Sequence, residues 1–160
     1  DTSILYFEEG DYMAYSDREL LARIIQCEAG GEGDTGMRAV ASVIMNRVNV
    51  ADGEYARVSQ GGSIRNIIYQ TGQFTCVSET VGGKYNSQNI YNMNPTDVEY
   101  SIADWAIAGN KISQAGNCLW YMNPYRPTCP GTFPYNGTGT LHTKINKHCF
   151  YRPTDRYRNS

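Results

Sequence analysis

The chain has 160 residues, of which 41% are hydrophobic and 19% charged, and its net charge is −2. This length indicates one domain that can bury a core, and the near-neutral charge leaves no basic footprint for nucleic acid. No apolar run approaches the roughly 18 to 20 residues that a membrane-spanning helix needs, so we expect no membrane span.

Residues 1–15 are acidic and aromatic without a clear period, and we interpret them as an extended lead-in to a single domain over 16–160. A first helix is predicted over about residues 17–29. Ser16 and Glu19 match a capping box at its start. Its apolar face is formed by Leu20, Leu21, Ile24 and Ile25.

Glu28 continues this apolar face into the last turn, just before Gly30 and Gly31 end the helix. Apolar surroundings raise the pKa of a carboxyl because they disfavour its charged form, and a general acid needs such a shift. The alternative is a structural ion pair with Arg23, Arg38 or Arg47. Residue 28 is therefore predicted to be either a general acid or half of a buried ion pair.

Two further helices are predicted before residue 70. Asp34 and Thr35 offer caps for a helix that runs to about Val50 and forms a hairpin with the first. Residues 51–62 are polar and contain glycine, which predicts a loop. Ser63 then caps a short helix. Its apolar residues are Ile64, Ile67 and Ile68.

The second half of the chain mixes one helix with short extended pieces. Residues 78–94 predict a loop or a weak hairpin, and Thr96 with Glu99 forms a capping box for a helix that ends near Gly109. The expected buried face of this helix contains Val98, Ile102, Trp105, Ala106 and Gly109.

Two short strands are predicted near the end of the chain, over residues 118–124 and 145–151, with a loop over 125–140. In the second strand His148 and Phe150 should face one way and Cys149 the other. Helices first, followed by helices mixed with short strands, predict an α+β fold that is mainly helical and has a small antiparallel sheet.

The five cysteines contain no CxxC pair, which argues against a zinc cluster, and we expect no metal or other cofactor. The odd count leaves at least one thiol free, and a Cys118–Cys129 disulfide is one pairing that the spacing allows. A nucleophilic pair of Cys27 or Cys76 with His148 is a further possibility. A serine triad is poorly supported, since no Gly-x-Ser-x-Gly elbow occurs.

A single buried glutamate suits one kind of glycoside cleavage. The reaction needs a proton donor for the leaving oxygen, and the nearest second acid, Glu32, lies beyond a Gly-Gly break that leaves its direction open. One carboxyl suffices when a hydroxyl of the sugar itself closes a 1,6-anhydro ring, because the same residue acts first as acid and then as base.

Several stretches share one order with a known family. Residues 21–33, which contain Glu28, precede residues 36–48, which end in Asn46-Arg47-Val48. The later stretches are 68–70, 72–75, 119–124 and 148–151. In this order they resemble the spore cortex-lytic, SleB-type cell wall hydrolases over roughly residues 16–152. The chain departs from the family pattern at Cys27, where a small or aliphatic residue is expected.

The resemblance implies a compact lysozyme-like domain that binds peptidoglycan glycan strands and cleaves the MurNAc–GlcNAc bond, with Glu28 as the acid. It also implies a sugar groove lined by Gln73, Phe74, Thr75, Tyr121 and Asn123, although packing is an equal alternative for Phe74. His148 falls at the family's terminal histidine, where a structural role is expected. An exported enzyme of the spore cortex, coat or cell wall is implied, and a regulatory partner protein is left open.

Two other functions stay open on the residues alone. One is an N-acetylmuramoyl-L-alanine amidase that cuts the glycan–peptide bond through Cys–His chemistry. The other is a non-catalytic module that binds glycan, for which the 13 tyrosines would be suited because a tyrosine ring stacks while its phenol hydrogen-bonds.

Overall fold

The computed structural model describes residues 15–160, so the predicted lead-in, apart from Tyr15, lies outside the described residues. The helices are α1 (Asp17–Ala29), α2 (Gly33–Asn49), α3 (Gly53–Ser59), α4 (Ile64–Tyr69), α5 (Asp97–Ile107) and α6 (Asp155–Arg158). The strands are β1 (Thr80–Val81), β2 (Lys84–Tyr85), β3 (Trp120–Met122), β4 (Gly139–Ile145) and β5 (His148–Pro153). The predicted fold class, mainly helical α+β with small antiparallel sheets, is confirmed.

Helix α1 forms over the predicted residues and packs against α2 and α5. The Ser16 hydroxyl accepts a hydrogen bond from the Glu19 amide at 3.1 Å. The Glu19 carboxylate instead pairs with Arg23 at 3.2 Å, so only half of the predicted capping box is formed. The apolar face of α1 is fully buried, which fixes the rotation of the helix and hence the side on which Glu28 lies.

Helix α2 completes the predicted hairpin but begins earlier than expected. Its N-cap is Glu32, without a side-chain capping bond, and neither Asp34 nor Thr35 caps it. The Asp34 carboxylate binds Arg38 one turn later at 2.8 Å. A side chain that can cap a helix is equally able to form an i,i+4 ion pair inside it, and here the ion pair prevails.

The predicted loop over 51–62 is wrong, because it contains α3. Only Tyr55 and Ser59 of this helix are buried, which is too short a pattern to show a helical period. The helix is held from outside: Tyr55 donates its amide hydrogen to the Tyr157 hydroxyl at 3.0 Å, and that hydroxyl donates to the Asp52 carbonyl at 3.0 Å. A residue from α6 thus stabilises α3 across the fold.

Helix α5 has the full capping box predicted from Thr96 and Glu99. Its buried face differs from the prediction, because Val98 is 49% exposed. The inner face is formed by Glu99, Ile102, Ala103 and Ala106. The Glu99 carboxylate accepts a hydrogen bond from the Thr96 amide at 2.9 Å. This bond holds Glu99 on the inner face of the helix, which the apolar pattern had assigned to Val98.

Of the loop or weak hairpin predicted over 78–94, the hairpin is present as β1 and β2. A second, three-stranded antiparallel sheet has the order β3-β5-β4. The strand predicted over 145–151 is confirmed for residues 148–151, but Ile145 belongs to β4, and the hairpin of β4 and β5 turns at Asn146. Strand β4 starts inside the predicted loop, and its irregular register between Leu141 and Thr143 breaks the alternation that reveals a strand.

The predicted facing of β5 is confirmed. His148 and Phe150 both contact the ring of Tyr121 on β3, whereas Cys149 belongs to the main core on the opposite side. Within residues 15–160, no helix combines the length and the apolar character needed to cross a bilayer.

The disulfides join Cys27 to Cys76 and Cys129 to Cys149, so the considered Cys118–Cys129 bridge is wrong. Cys118 is free and buried, and burial raises the pKa of its thiol to about 12. The nucleophilic pair of Cys27 or Cys76 with His148 is also wrong, because neither sulfur is a thiol in this fold.

The Cys129–Cys149 bridge ties the loop before β4 to the central strand of its sheet. Replacing both residues by alanine should lower the free energy of unfolding by about 3 kcal/mol, because the bridge closes a loop with a sequence separation of 20. Urea unfolding without reductant measures the change. Cys118→Ala keeps both bridges and should cost less; an equal loss in the two variants would contradict the prediction.

Candidate active site

Glu28 lies at the end of α1 and is partly buried. Its Oε1 accepts a hydrogen bond from the Tyr121 hydroxyl of β3 at 2.9 Å. Its Oε2 lies 3.3 Å from Cys76 Sγ. Because that sulfur belongs to a disulfide, it has no proton to donate. The carboxyl is therefore held by one side-chain donor on one oxygen and faces a bridged sulfur on the other.

The ion-pair alternative for Glu28 is wrong. Arg23 pairs with Glu19 and donates to two main-chain carbonyls from one nitrogen. Arg38 pairs with Asp34. Among the ion pairs of residues 15–160, none includes Glu28.

Arg47 is buried, with 5% of its surface exposed. Its Nε donates to the Leu119 carbonyl at 2.7 Å and its Nη1 to Gln73 Oε1 at 3.4 Å. The guanidinium also lies over the rings of Tyr55 and Phe74, 4.7 and 5.2 Å from their centroids. Neutral dipoles and aromatic faces thus solvate this cation. Because no carboxylate among the described residues contacts it, its full positive charge acts on Glu28.

Burial raises the pKa of Glu28 above its ordinary value, which favours the neutral acid. The Tyr121 hydrogen bond and the charge of Arg47 oppose this shift but are the smaller effects. The negative end of the α1 dipole also disfavours a carboxylate in the last turn. Burial and the neighbouring carboxyl raise the pKa of Tyr121 well above its ordinary value, so Tyr121 keeps the proton that it donates.

A second acid–base pair lies behind Tyr121. His148 Nδ1 is 3.2 Å from Glu32 Oε1, and the imidazole packs edge-on against the Tyr121 ring at 5.6 Å. Burial lowers the pKa of His148, and Glu32 offsets part of that change. Glu32, whose direction the sequence left open, is thus directed at His148. In the described part of the chain, His, Cys, Asp and Glu side chains form no group of three or more that could hold a metal.

A cavity of about 360 Å³ lies beside Tyr121 and also contacts Arg47. Aromatic rings and side-chain amides or hydroxyls share its wall, notably Tyr55, Trp120, Phe133, Gln73, Asn136 and Thr138. Flat apolar faces interleaved with neutral hydrogen-bonding groups suit a ligand that carries many hydroxyls and amides. The cavity reaches the acid through Tyr121, since Glu28 itself is not part of its lining.

Two of the five residues predicted for the groove, Gln73 and Tyr121, line this cavity. Phe74 is only 3% exposed and packs in the core under Arg47. Thr75 is exposed and begins a 3₁₀ turn over Thr75–Val77. The Asn123 side chain accepts a hydrogen bond from the Tyr125 amide at 2.8 Å in the turn after β3. Neither Thr75 nor Asn123 belongs to the lining of the cavity.

Sequence reasoning missed several cavity residues. Tyr55 lies in the segment predicted to be a loop, and Phe133 and Asn136 lie in a true loop between strands, where no period marks them. Trp120 directly precedes the predicted groove residue Tyr121, but it is only 5% exposed and packs against Tyr157, so it supports the cavity wall from the core.

The fold and this site together define a glycan-cleaving type of protein, and the comparisons agree. The model of the Cell Wall Hydrolase family matches residues 31–151, and the chain belongs to this family. Over 139 residues it is 31% identical to the cell wall hydrolase CwlJ of Bacillus subtilis, covering 87% of each chain. Over 135 residues it is 29% identical to a spore cortex-lytic enzyme of Bacillus cereus, covering 84% of this chain and 44% of the relative.

Solved structures give the same relationship. The chain is similar to the catalytic domain of the germination-specific lytic transglycosylase SleB from Bacillus anthracis, with a TM-score of 0.61 at 29% identity. The similarity covers 87% of this chain and 98% of that one. The catalytic domain of the SleB protein from Bacillus cereus has the same TM-score and identity, with 93% of that chain covered. The resemblance seen in the sequence is confirmed.

Replacing Glu28 by glutamine should stabilise the protein at neutral pH. A carboxyl whose pKa is raised by folding favours the folded state fully at low pH, and this contribution disappears as pH rises through the folded-state value. Glu28→Gln should therefore melt above the wild type at pH 7 to 8 and with little difference below about pH 4. Melting curves across this range measure the effect. Glu79→Gln, at an exposed site, is the control variant; parallel curves for Glu28→Gln and the wild type would contradict the prediction.

Removing the Tyr121 hydroxyl should lower the activity while leaving the Glu28 carboxyl in place. With Glu28 as the general acid that the sequence predicts, the carboxylate left after proton transfer loses its donor in Tyr121→Phe, so we expect kcat to fall by about 10- to 100-fold. Because that bond lowers the pKa of Glu28, its loss should move the basic limb of the pH–rate profile to higher pH. Turbidity loss of peptidoglycan suspensions between pH 4 and 9 measures both; an unchanged limb would show that the bond does not tune the acid.

Proposed function

We propose that this protein is a lytic transglycosylase that cleaves the bond between MurNAc and GlcNAc in peptidoglycan, with residues 16–160 as its catalytic domain. The observation that carries the proposal is a single partly buried carboxyl, Glu28, held by the Tyr121 hydroxyl and free of ion pairs. The similar domain from Bacillus anthracis is the catalytic domain of a germination-specific lytic transglycosylase, which supports the proposal.

In the first step, Glu28 protonates the glycosidic oxygen and the bond to C1 of MurNAc breaks. Positive charge develops at C1, and Glu28 becomes a carboxylate. The Tyr121 hydrogen bond and the charge of Arg47 stabilise that carboxylate, since both lower its pKa. In the second step, the C6 hydroxyl of the same sugar attacks C1, and Glu28 takes its proton back to restore the neutral acid.

The surroundings of the other acids support a single-carboxyl mechanism. A hydrolytic glycosidase uses a second carboxylate as nucleophile or as base for water. The Glu32 carboxylate is occupied by His148. Glu54 lies at the exposed rim of the cavity, where Gln70 donates to it at 3.2 Å. The sugar's own hydroxyl then supplies the nucleophile that the protein lacks at this position.

The cavity beside Tyr121 is proposed to hold one sugar of the glycan strand. Its volume of about 360 Å³ lies at the lower end of the range for small-molecule sites. Phe133, which is partly exposed, would pack against the sugar ring with Trp120 buried behind the wall, and Gln73 and Asn136 would bind the hydroxyl and N-acetyl groups of the sugar. Thr75 and Asn123, outside this cavity, are proposed as contacts for neighbouring sugars, while Phe74 supports Arg47 from the core.

The setting of the reaction follows from the substrate. We infer that the enzyme is exported and acts on the spore cortex or the cell wall, where glycan strands are found. The spore cortex-lytic relative and the germination-specific structure favour the cortex of germinating spores.

The decisive experiment is mass spectrometry of cortex and vegetative peptidoglycan after digestion. The wild type should release fragments that end in 1,6-anhydro-MurNAc, and Glu28→Gln should bind the same material but release less than about 1% as much. The matched control is Glu54→Gln, which removes a carboxylate at the cavity rim and should retain the anhydro products.

Each alternative has its own product. Reducing ends, lost in Glu54→Gln or Glu32→Gln, would replace the proposal with a two-carboxylate muramidase. Free stem peptides would indicate an amidase, and binding by the wild type without any solubilisation would indicate a glycan-binding module.

A further inference from the structure

We propose that the Cys27–Cys76 disulfide is a positioning element for Glu28, so that the strength of this acid depends on the bridge being oxidised. The proposal deepens the proposed function and rests on it for the role of Glu28. It concerns cysteines that the family resemblance does not predict, since Cys27 stands where a small or aliphatic residue is expected.

The bridge is built against the acid. Cys27 directly precedes Glu28 on α1, and Cys76 lies in the 3₁₀ turn at Thr75–Val77. Both cysteines are buried. Cys76 Sγ is 3.3 Å from Glu28 Oε2, while Tyr121 occupies Oε1 at 2.9 Å. The bridge therefore fills the place beside Oε2 that a water molecule or a hydrogen-bond donor would otherwise take.

The bridge also fixes the acid relative to the cavity. It joins two segments that are 49 residues apart in the sequence. Gln73, which lines the cavity, is three residues before Cys76, and its Oε1 accepts from the Tyr55 hydroxyl at 2.7 Å. One covalent link thus ties the end of α1 to the chain that forms the cavity wall.

The chemistry of sulfur gives the bridge its effect on the acid. A disulfide sulfur has lone pairs but no proton, so it cannot stabilise a carboxylate by donation. A dithiol reductant changes this, because its thiolate attacks one sulfur and the Cys27–Cys76 bond breaks. The reductant gives two electrons and two protons to the cysteines, which become thiols, and is itself oxidised to a disulfide. The Cys76 thiol can then donate to Oε2, and the released turn admits water. Both changes favour the charged form of Glu28 and lower its pKa.

The other groups that face Glu28 do not take part in this change. Tyr121 of β3 donates to Oε1, and Arg47 of α2 supplies positive charge. The Glu32–His148 pair lies on the far side of the Tyr121 ring. A shift that follows the state of the bridge is therefore attributable to the bridge.

The test compares pH–rate profiles on peptidoglycan. The basic limb of Cys27→Ala/Cys76→Ala should lie about one pH unit below that of the oxidised wild type. At a fixed pH on the basic side, the activity of this variant should therefore be about 10-fold lower. Cys27→Ala/Cys76→Ser, which adds a hydroxyl donor beside Oε2, should shift the limb further. The matched control, Cys129→Ala/Cys149→Ala, removes the other bridge and should keep the wild-type limb.

Reduction is tested in that control variant, where Cys27–Cys76 is the remaining bridge. A dithiol reductant should move its limb to lower pH, and reoxidation should move it back. A ¹³C NMR titration of the glutamate carboxyls, with Glu28→Gln to assign the signal, should show the same order of Glu28 pKa values without any use of activity.

Identical limbs and identical Glu28 titrations in the two alanine pairs would overturn the proposal and leave the bridge a purely structural one. The proposed function would survive that outcome if anhydro products are still formed. An oxidised wild type that releases no glycan would instead overturn the function, while the NMR titration would still decide whether the bridge controls the acid.

Discussion

The site depends on the balance between the burial of Glu28 and the one hydrogen bond that Tyr121 donates to it. In the role that we propose for Glu28, the carboxyl gives up a proton and later recovers it, so neither form can be strongly stabilised. Burial and the end of the α1 dipole favour the neutral form. The Tyr121 hydroxyl and the charge of Arg47 favour the carboxylate, and they do so without an ion pair that would fix the carboxyl in its charged state.

Arg47 shows how the fold supplies charge without contact. A buried guanidinium usually has a carboxylate partner, because an unpaired ion is costly inside a protein. Here the Leu119 carbonyl, Gln73 and two aromatic rings take that place. These groups solvate the cation but leave its net charge in place, so it acts on Glu28 and on the wall of the cavity together. The same side chain thus joins the acid to the proposed binding site.

Local patterns allowed prediction of the parts that depend on a few adjacent residues. The caps at Ser16, Ser63 and Thr96 and the face of α1 that places Glu28 are all encoded within one or two turns of helix. Helix α3 and strand β4 were missed because tertiary contacts determine them: Tyr157 holds α3 from the end of the chain, and β4 is irregular and half exposed. The pairing of the five cysteines depends on which segments meet in space, and spacing alone suggested the wrong pair.

His148 lies against the Tyr121 ring and is held there by Glu32. Burial lowers the pKa of His148 despite the neighbouring Glu32, and this favours the uncharged imidazole beside the Tyr121 ring. A protonated His148 would add a second cation near the hydroxyl that binds Glu28 and would favour the carboxylate. By keeping His148 neutral and orienting it through Glu32, the fold lets the pair position the Tyr121 ring by packing. A neutral His148 adds no charge that would oppose the protonated form of Glu28, the form that the proposed mechanism needs.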